Sequence, residues 1–132
     1  MTDPLNYTEI EFWMALDQLV GDSEIVIDRK RLSAHPNDGD VIYPLDYGYL
    51  KGTSSTDGGG IDLFMGANEE DEYPLIVTAI ICTVDPGKRD SEIKLLLECT
   101  DEEIEQIHQF FEAALQLPHL VIKRTPIPTS SV

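Results

Sequence analysis

Val41-Ile42-Tyr43-Pro44-Leu45-Asp46-Tyr47-Gly48-Tyr49-Leu50 is the run from which the fold is read. Tyr43, Leu45, Tyr47 and Tyr49 fall on one side, with Pro44, Asp46 and Gly48 on the other, the two-residue period of a strand. Pro44 cannot donate to a ladder, so the strand is expected at a sheet edge or around a bulge. Upstream, the short β-branched run Glu24-Ile25-Val26-Ile27-Asp28 predicts another strand. It leads into Arg29-Lys30-Arg31, the one cluster of positive charge, and a loop carrying His35, Pro36, Asn37, Asp38 and Gly39. Downstream, Thr53 to Gly60 reads as a polar loop and Ile61-Asp62-Leu63-Phe64-Met65 as a strand. Ala67 to Tyr73 reads as a solvated acidic turn. The apolar run Leu75 to Val84 reads as a central strand, Asp85 to Asp90 as a turn, and Ser91 to Glu98 as a further strand.

Helices are expected at both ends. Thr8 and Glu11 have capping-box spacing, as do Thr100 and Glu103. Ile10, Phe12, Trp13, Leu16, Leu19 and Val20 share one face of the first helix, which stops at Gly21. Ile104, Ile107, Phe111, Ala114 and Leu115 give the second helix its buried face, and Pro118 ends it. A short strand, Leu120 to Lys123, precedes a tail at 125–132 expected to be frayed. This order predicts one α+β domain over residues 1–132, its sheet mainly antiparallel and able to curl into a barrel.

Composition narrows the function classes. With 132 residues, 42% hydrophobic and 26% charged, the chain can bury a core without staples. Nine basic residues face 25 acidic ones, a net charge of −16. Such a field repels phosphate backbones and anionic lipid, so neither nucleic acid nor membrane is an expected partner. An anionic substrate would need local cations, and bound divalent metals supply them. Cys82 and Cys99 form no metal-binding or redox pattern and read as reduced core residues. The N-terminus lacks a signal-peptide pattern, and no apolar run approaches the ~20 residues of a spanning helix. The expected compartment is the cytoplasm. His35, His108 and His119 have no evident nucleophilic partner.

Two acidic turns carry the candidate chemistry. Asp57 and Asp62 lie five residues apart across Gly58, Gly59 and Gly60, and Asp85 and Asp90 repeat that spacing across Pro86-Gly87-Lys88-Arg89. Converging carboxylates of this kind suit hard cations such as Mg²⁺, although ordinary β-turns use the same residues.

Tyr43-Pro44-Leu45-Asp46-Tyr47-Gly48-Tyr49, the acidic glycine loop ending in Ile61-Asp62-Leu63, and the Asp85–Asp90 turn together resemble the heart of the family I soluble inorganic pyrophosphatases. The resemblance spans roughly residues 24 to 124 and implies a shortened, divergent member. It implies an OB-type barrel with peripheral helices, a homo-oligomer, and Mg²⁺- or Mn²⁺-assisted hydrolysis of a phosphoanhydride in a small phosphorylated anion. On that basis Asp57, Asp62, Asp85 and Asp90 match metal-binding carboxylates, and Tyr43 and Tyr47 match site-lining tyrosines. Arg29 matches a phosphate-binding arginine, and Lys88 and Arg89 are further substrate-binding candidates. Asp62, Tyr47 and Lys94 are the catalytic candidates.

The chain also departs from that pattern. Gly59 and Gly60 stand where the signature has an aspartate and a proline, and Glu92 stands where it has a lysine. Lys94 lies on the same strand face about 7 Å further along and substitutes only if the register has moved. Ala114 and Leu115 replace a Tyr-Lys pair, and Glu24 and Val26 replace a lysine and a glutamate. Asp46 serves as a displaced base only if a bulge turns it inward. A domain that binds an anion or a protein partner without turnover is the alternative.

Overall fold

A computed structural model describes residues 7–55, 58–67 and 75–125. Helix α1 spans Tyr7–Gly21. It is followed by β1 (Glu24–Arg29), β2 (Ala34–His35), β3 (Asp38–Ile42), β4 (Asp46–Lys51), β5 (Ile61–Met65), β6 (Val77–Asp85) and β7 (Asp90–Leu97). Helix α2 (Asp101–Gln109) runs into a π-helical turn, Phe110–Ala114, and β8 (His119–Lys123) completes the order. The expected acidic turn at 67–73, apart from Ala67, and the tail at 125–132, apart from Thr125, lie outside the described residues.

The main sheet has the order β1-β4-β5-β7-β6-β8, and β2-β3 form a separate two-stranded sheet. All described pairings are antiparallel except β5 with β7. The architecture is therefore α+β, as expected. Among the described residues the pairings do not close it into a barrel, and β1 and β8 are its outer strands.

Alternation sends each strand's residues to two cores. Leu63, Leu95 and Leu97 pack with Trp13 and Val20 of α1. On the opposite face, Phe64 and Leu96 pack with Ile104 and Ile107 of α2 and with Phe110 and Phe111. β6 is buried on both faces along most of its length, which explains its nearly continuous apolar sequence, whereas β7 is buried on both faces only over Lys94–Leu97. A register shift between Val77 and Ala79 turns Val77 toward the α1 core and Ala79 toward the α2 core.

Local chemistry explains several boundaries. Thr100 caps α2 with both halves of the capping box in place, Thr100 Oγ1 accepting from Glu103 N at 3.1 Å and Glu103 Oε1 from Thr100 N at 2.9 Å. Such caps contribute about 1 kcal/mol. Thr8 instead lies inside α1, one residue after its first described position, so it is not the cap. The expected Val41–Leu50 strand divides into β3 and β4: the Tyr43 backbone still bonds to Leu32 and Ser33, and the break falls at Pro44, which has no N–H to donate to a ladder. Residues around His35 form the β2–β3 hairpin rather than a plain loop. The π-turn closes with Leu115 N donating to Phe110 O at 3.0 Å and turns both phenylalanines inward.

Candidate active site

On the α2 face of the sheet lies a cleft of about 430 Å³. A register shift in β1 between Ile27 and Arg29 lets both Asp28 and Arg29 line it. Tyr47 comes from β4, Asp62 and Phe64 from β5, Asp85 from the end of β6, and Asp90, Glu92 and Lys94 from alternate positions of β7. His35, Tyr43, Thr83, Lys88, Phe110, Phe111, Leu115 and Leu117 complete the walls.

Lys94 is the electrostatic centre. It is only 9% exposed, and its Nζ donates to Asp62 Oδ2 at 2.9 Å, Tyr47 Oη at 3.0 Å and Glu92 Oε2 at 3.1 Å. An ammonium has three donors, so these acceptors use all of them. The parallel register that pairs Leu63 with Leu95 sets Asp62 beside Lys94, one residue earlier on each strand. Burial works against the Lys94 ammonium, but the neighbouring Tyr47 and Asp62 outweigh it and hold its pKa above the ordinary value. Burial pushes the Tyr47 phenol up strongly; Lys94 opposes that shift and Asp62 adds to it.

Arg29 forms a second cationic centre. Its Nη1 donates to the Tyr43 hydroxyl, and its guanidinium carbon lies 5.3 Å from the Tyr43 ring centroid and 5.7 Å from that of Tyr47. At the β6–β7 hairpin, Asp85 and Asp90 are direct cross-strand partners. Like charges placed opposite each other repel, so the pair carries an electrostatic cost. Asp85 Oδ1 also accepts from Lys88 N at 3.1 Å, fixing the turn.

The cleft thus gathers Asp62, Asp85, Asp90, Tyr43, Tyr47, Arg29, Lys88 and Lys94 from the sequence-predicted residues. Arg89 is exposed, has a left-handed backbone (φ 57°), and does not line it. Asp57 lies outside the described residues. Asp46 is not turned inward as a base: it stays outside the cleft, with Oδ1 accepting from Arg31 N at 2.8 Å. Leu115 forms an apolar wall where the resemblance anticipated a phosphate grip, and Ala114 is exposed. Among the described residues, no three His, Cys, Asp or Glu side chains gather as a metal's ligand set.

Sequence reasoning missed Asp28, His35 and Thr83 as lining residues, and it read Glu92 only as a departure from the family pattern. Alternation from Asp90 to Lys94 was sufficient signal for Glu92; the β1 register shift that admits Asp28 has no sequence signature.

Burial, reinforced by Glu103 and Glu98, pushes the Cys99 thiol up from 9.0 to about 12. Cys99, Tyr47 and Lys94 are therefore all raised in the folded state. Groups of this kind stabilise fully below their unfolded pKa and lose that contribution as pH rises through the folded value. Stability should stay level to pH 9.0 and then fall toward about pH 12, first through Cys99. Each titrating group contributes a slope of about 1.4 kcal/mol per pH unit. Urea unfolding across this range checks it; a flat profile up to pH 11 would refute it, and Cys99→Ala should delay the onset.

No protein-family model matches the chain, and no curated protein matches it. No helix among the described residues is long and apolar enough to cross a membrane.

Proposed function

We propose that the cleft binds a small phosphorylated anion with a divalent cation and hydrolyses its phosphoanhydride bond, pyrophosphate being the simplest such substrate. The observation that carries this reading is the charge of the walls. Five carboxylates, Asp28, Asp62, Asp85, Asp90 and Glu92, face three cations, Arg29, Lys88 and Lys94. Two excess negative charges repel a phosphate until a cation neutralises them. The strand order β1-β4-β5-β7-β6, with its parallel β5–β7 pair, supports an OB-type sheet whose closing edge is taken by β8. A homo-oligomer in the cytoplasm belongs to the same reading.

The donors fit Mg²⁺ in chemistry. Mg²⁺ typically takes one or two protein carboxylates and fills its remaining positions with water and phosphate oxygens, so the opposed Asp85 and Asp90 would suffice. Bound there, it would offset phosphate charge and acidify water. Arg29, oriented by Tyr43, and Lys88 hold the phosphate oxygens. Asp62 engages Lys94 through Oδ2. Its Oδ1 is the acceptor we assign to the proton of the attacking water. Phe110, Phe111, Leu115 and Leu117 exclude bulk water from one wall.

One observation favours a second reading, binding without turnover. All three Lys94 donors are already used, so a guest gains its help only by displacing an acceptor.

Phosphate release from pyrophosphate with Mg²⁺ separates the two. The parent should release phosphate, and Asp62→Asn should be slower by about a hundredfold. Asp90→Asn, at a carboxylate outside the Lys94 network, should also lose activity. Equal rates in parent and variants, or none in any, would end the hydrolase reading. With no release, stabilisation of about 2.7 kcal/mol by pyrophosphate and Mg²⁺ at a hundred times Kd would support binding alone.

A further inference from the structure

On the surface where α2 meets β8, His108 Nδ1 and His119 Nε2 face each other at 2.8 Å. The far nitrogen of each ring has its own acceptor. His119 Nδ1 lies 2.8 Å from Leu117 O, and a carbonyl oxygen only accepts, so this nitrogen carries hydrogen. His108 Nε2 lies 3.0 Å from Glu112 Oε2 and carries hydrogen for the same reason. With both rings neutral, the facing nitrogens present two lone pairs to each other. Such an arrangement requires a positive centre between them, either a proton or a metal ion.

We propose that this pair is a binding site for a first-row transition-metal ion of the Zn²⁺ class. Imidazoles that bind metals characteristically give their other N–H to a carboxylate or a backbone carbonyl, and Glu112 and Leu117 supply one of each. The rings border a surface pocket of about 380 Å³ that also includes Glu105 and Lys123, whose ammonium is paired with Asp101 at 3.2 Å, leaving room for water ligands. Two nitrogens about 2.0 Å from a tetrahedral ion stand about 3.3 Å apart, so binding requires the rings to open by about half an ångström. The His108 side chain, 37% exposed, has that freedom. Among the described residues no third His, Cys, Asp or Glu joins the pair to complete a ligand set, so the site is open and exchangeable. Imidazole donors select Zn²⁺, Ni²⁺ or Cu²⁺ over Mg²⁺, which separates this site chemically from the carboxylate cleft.

The full chain, stripped of metal with a chelator, is titrated with Zn²⁺ by calorimetry at neutral pH. With Mg²⁺ in excess to occupy the carboxylate cleft, one Zn²⁺ should bind per chain at the imidazole pair, more weakly as pH falls because protons compete for the same nitrogens. His119→Ala and His108→Ala should each remove this binding, and Glu112→Gln should weaken it about tenfold. Asp90→Asn should leave it unchanged. Far-UV circular dichroism without metal verifies that each variant is folded. No binding at millimolar Zn²⁺, uptake of a proton but no metal, or equal affinity in parent and His108→Ala would overturn the proposal. None of these readouts uses phosphate release, so its failure is distinct from failure of the hydrolase reading.

Discussion

Replacing Lys94 with Met should destabilise the fold by about 3 kcal/mol, because the change leaves two partly buried carboxylates without their shared cation. The Lys94 side chain is 11% exposed, and those of Asp62 and Glu92 are 24% and 15%. Breaking a buried pair from one side costs about 3–5 kcal/mol, and this residual solvent contact sets the lower end. Methionine keeps most of the stem's packing, so the loss reports the charge and not a cavity. Adding Glu92→Gln should recover part of the loss, since one of the two repelling carboxylates is then neutral. Urea unfolding at neutral pH measures both variants. A loss below about 1 kcal/mol in Lys94→Met would mean that water already screens the network.

Phe64→Ala should cost about 3–5 kcal/mol and should reach the cleft as well as the core. Phe64 is 1% exposed, and its ring lies 4.8 Å from Tyr47, 6.3 Å from Phe110 and 6.1 Å from Phe111. It ties the sheet to the π-turn and supports the tyrosine that accepts from Lys94. Truncation removes the transfer free energy of a whole ring and leaves a cavity that rigid strands on either side cannot collapse. The near-UV signal of the tyrosines should weaken alongside the shift in denaturant midpoint. Phe64→Leu, which keeps much of the volume, should lose far less. An alanine variant within 1 kcal/mol of the parent would refute this account of the core.

What the sequence revealed was mostly local. The box at Thr100 and Glu103, the doubly buried β6 and the period-two placement of Asp90 and Lys94 were readable, because each depends on neighbours a few residues away. Tertiary contacts were not. The register shift that admits Asp28, the Asp46 contact with Arg31 N and the outer place of β8 depend on segments far apart in the chain. Lys94 illustrates both sides of this. Its face was legible, but its saturation by Tyr47, Asp62 and Glu92 followed only from the parallel register of β5 and β7. The His108–His119 contact was likewise hidden, because it joins the last turn of α2 to a separate strand.

At Gly48 an added Cβ would stand 1.8 Å from Val26 O, and at Gly66 it would stand 2.1 Å from Glu98 O. Both obstacles are backbone, which no rotamer change can move aside. Carboxylates around a cleft can drift during divergence while the scaffold survives; these two positions, eighteen residues apart, tolerate almost no substitution. Distant kin of this chain are thus better sought by that glycine pair and its flanking strand pattern than by acidic residues.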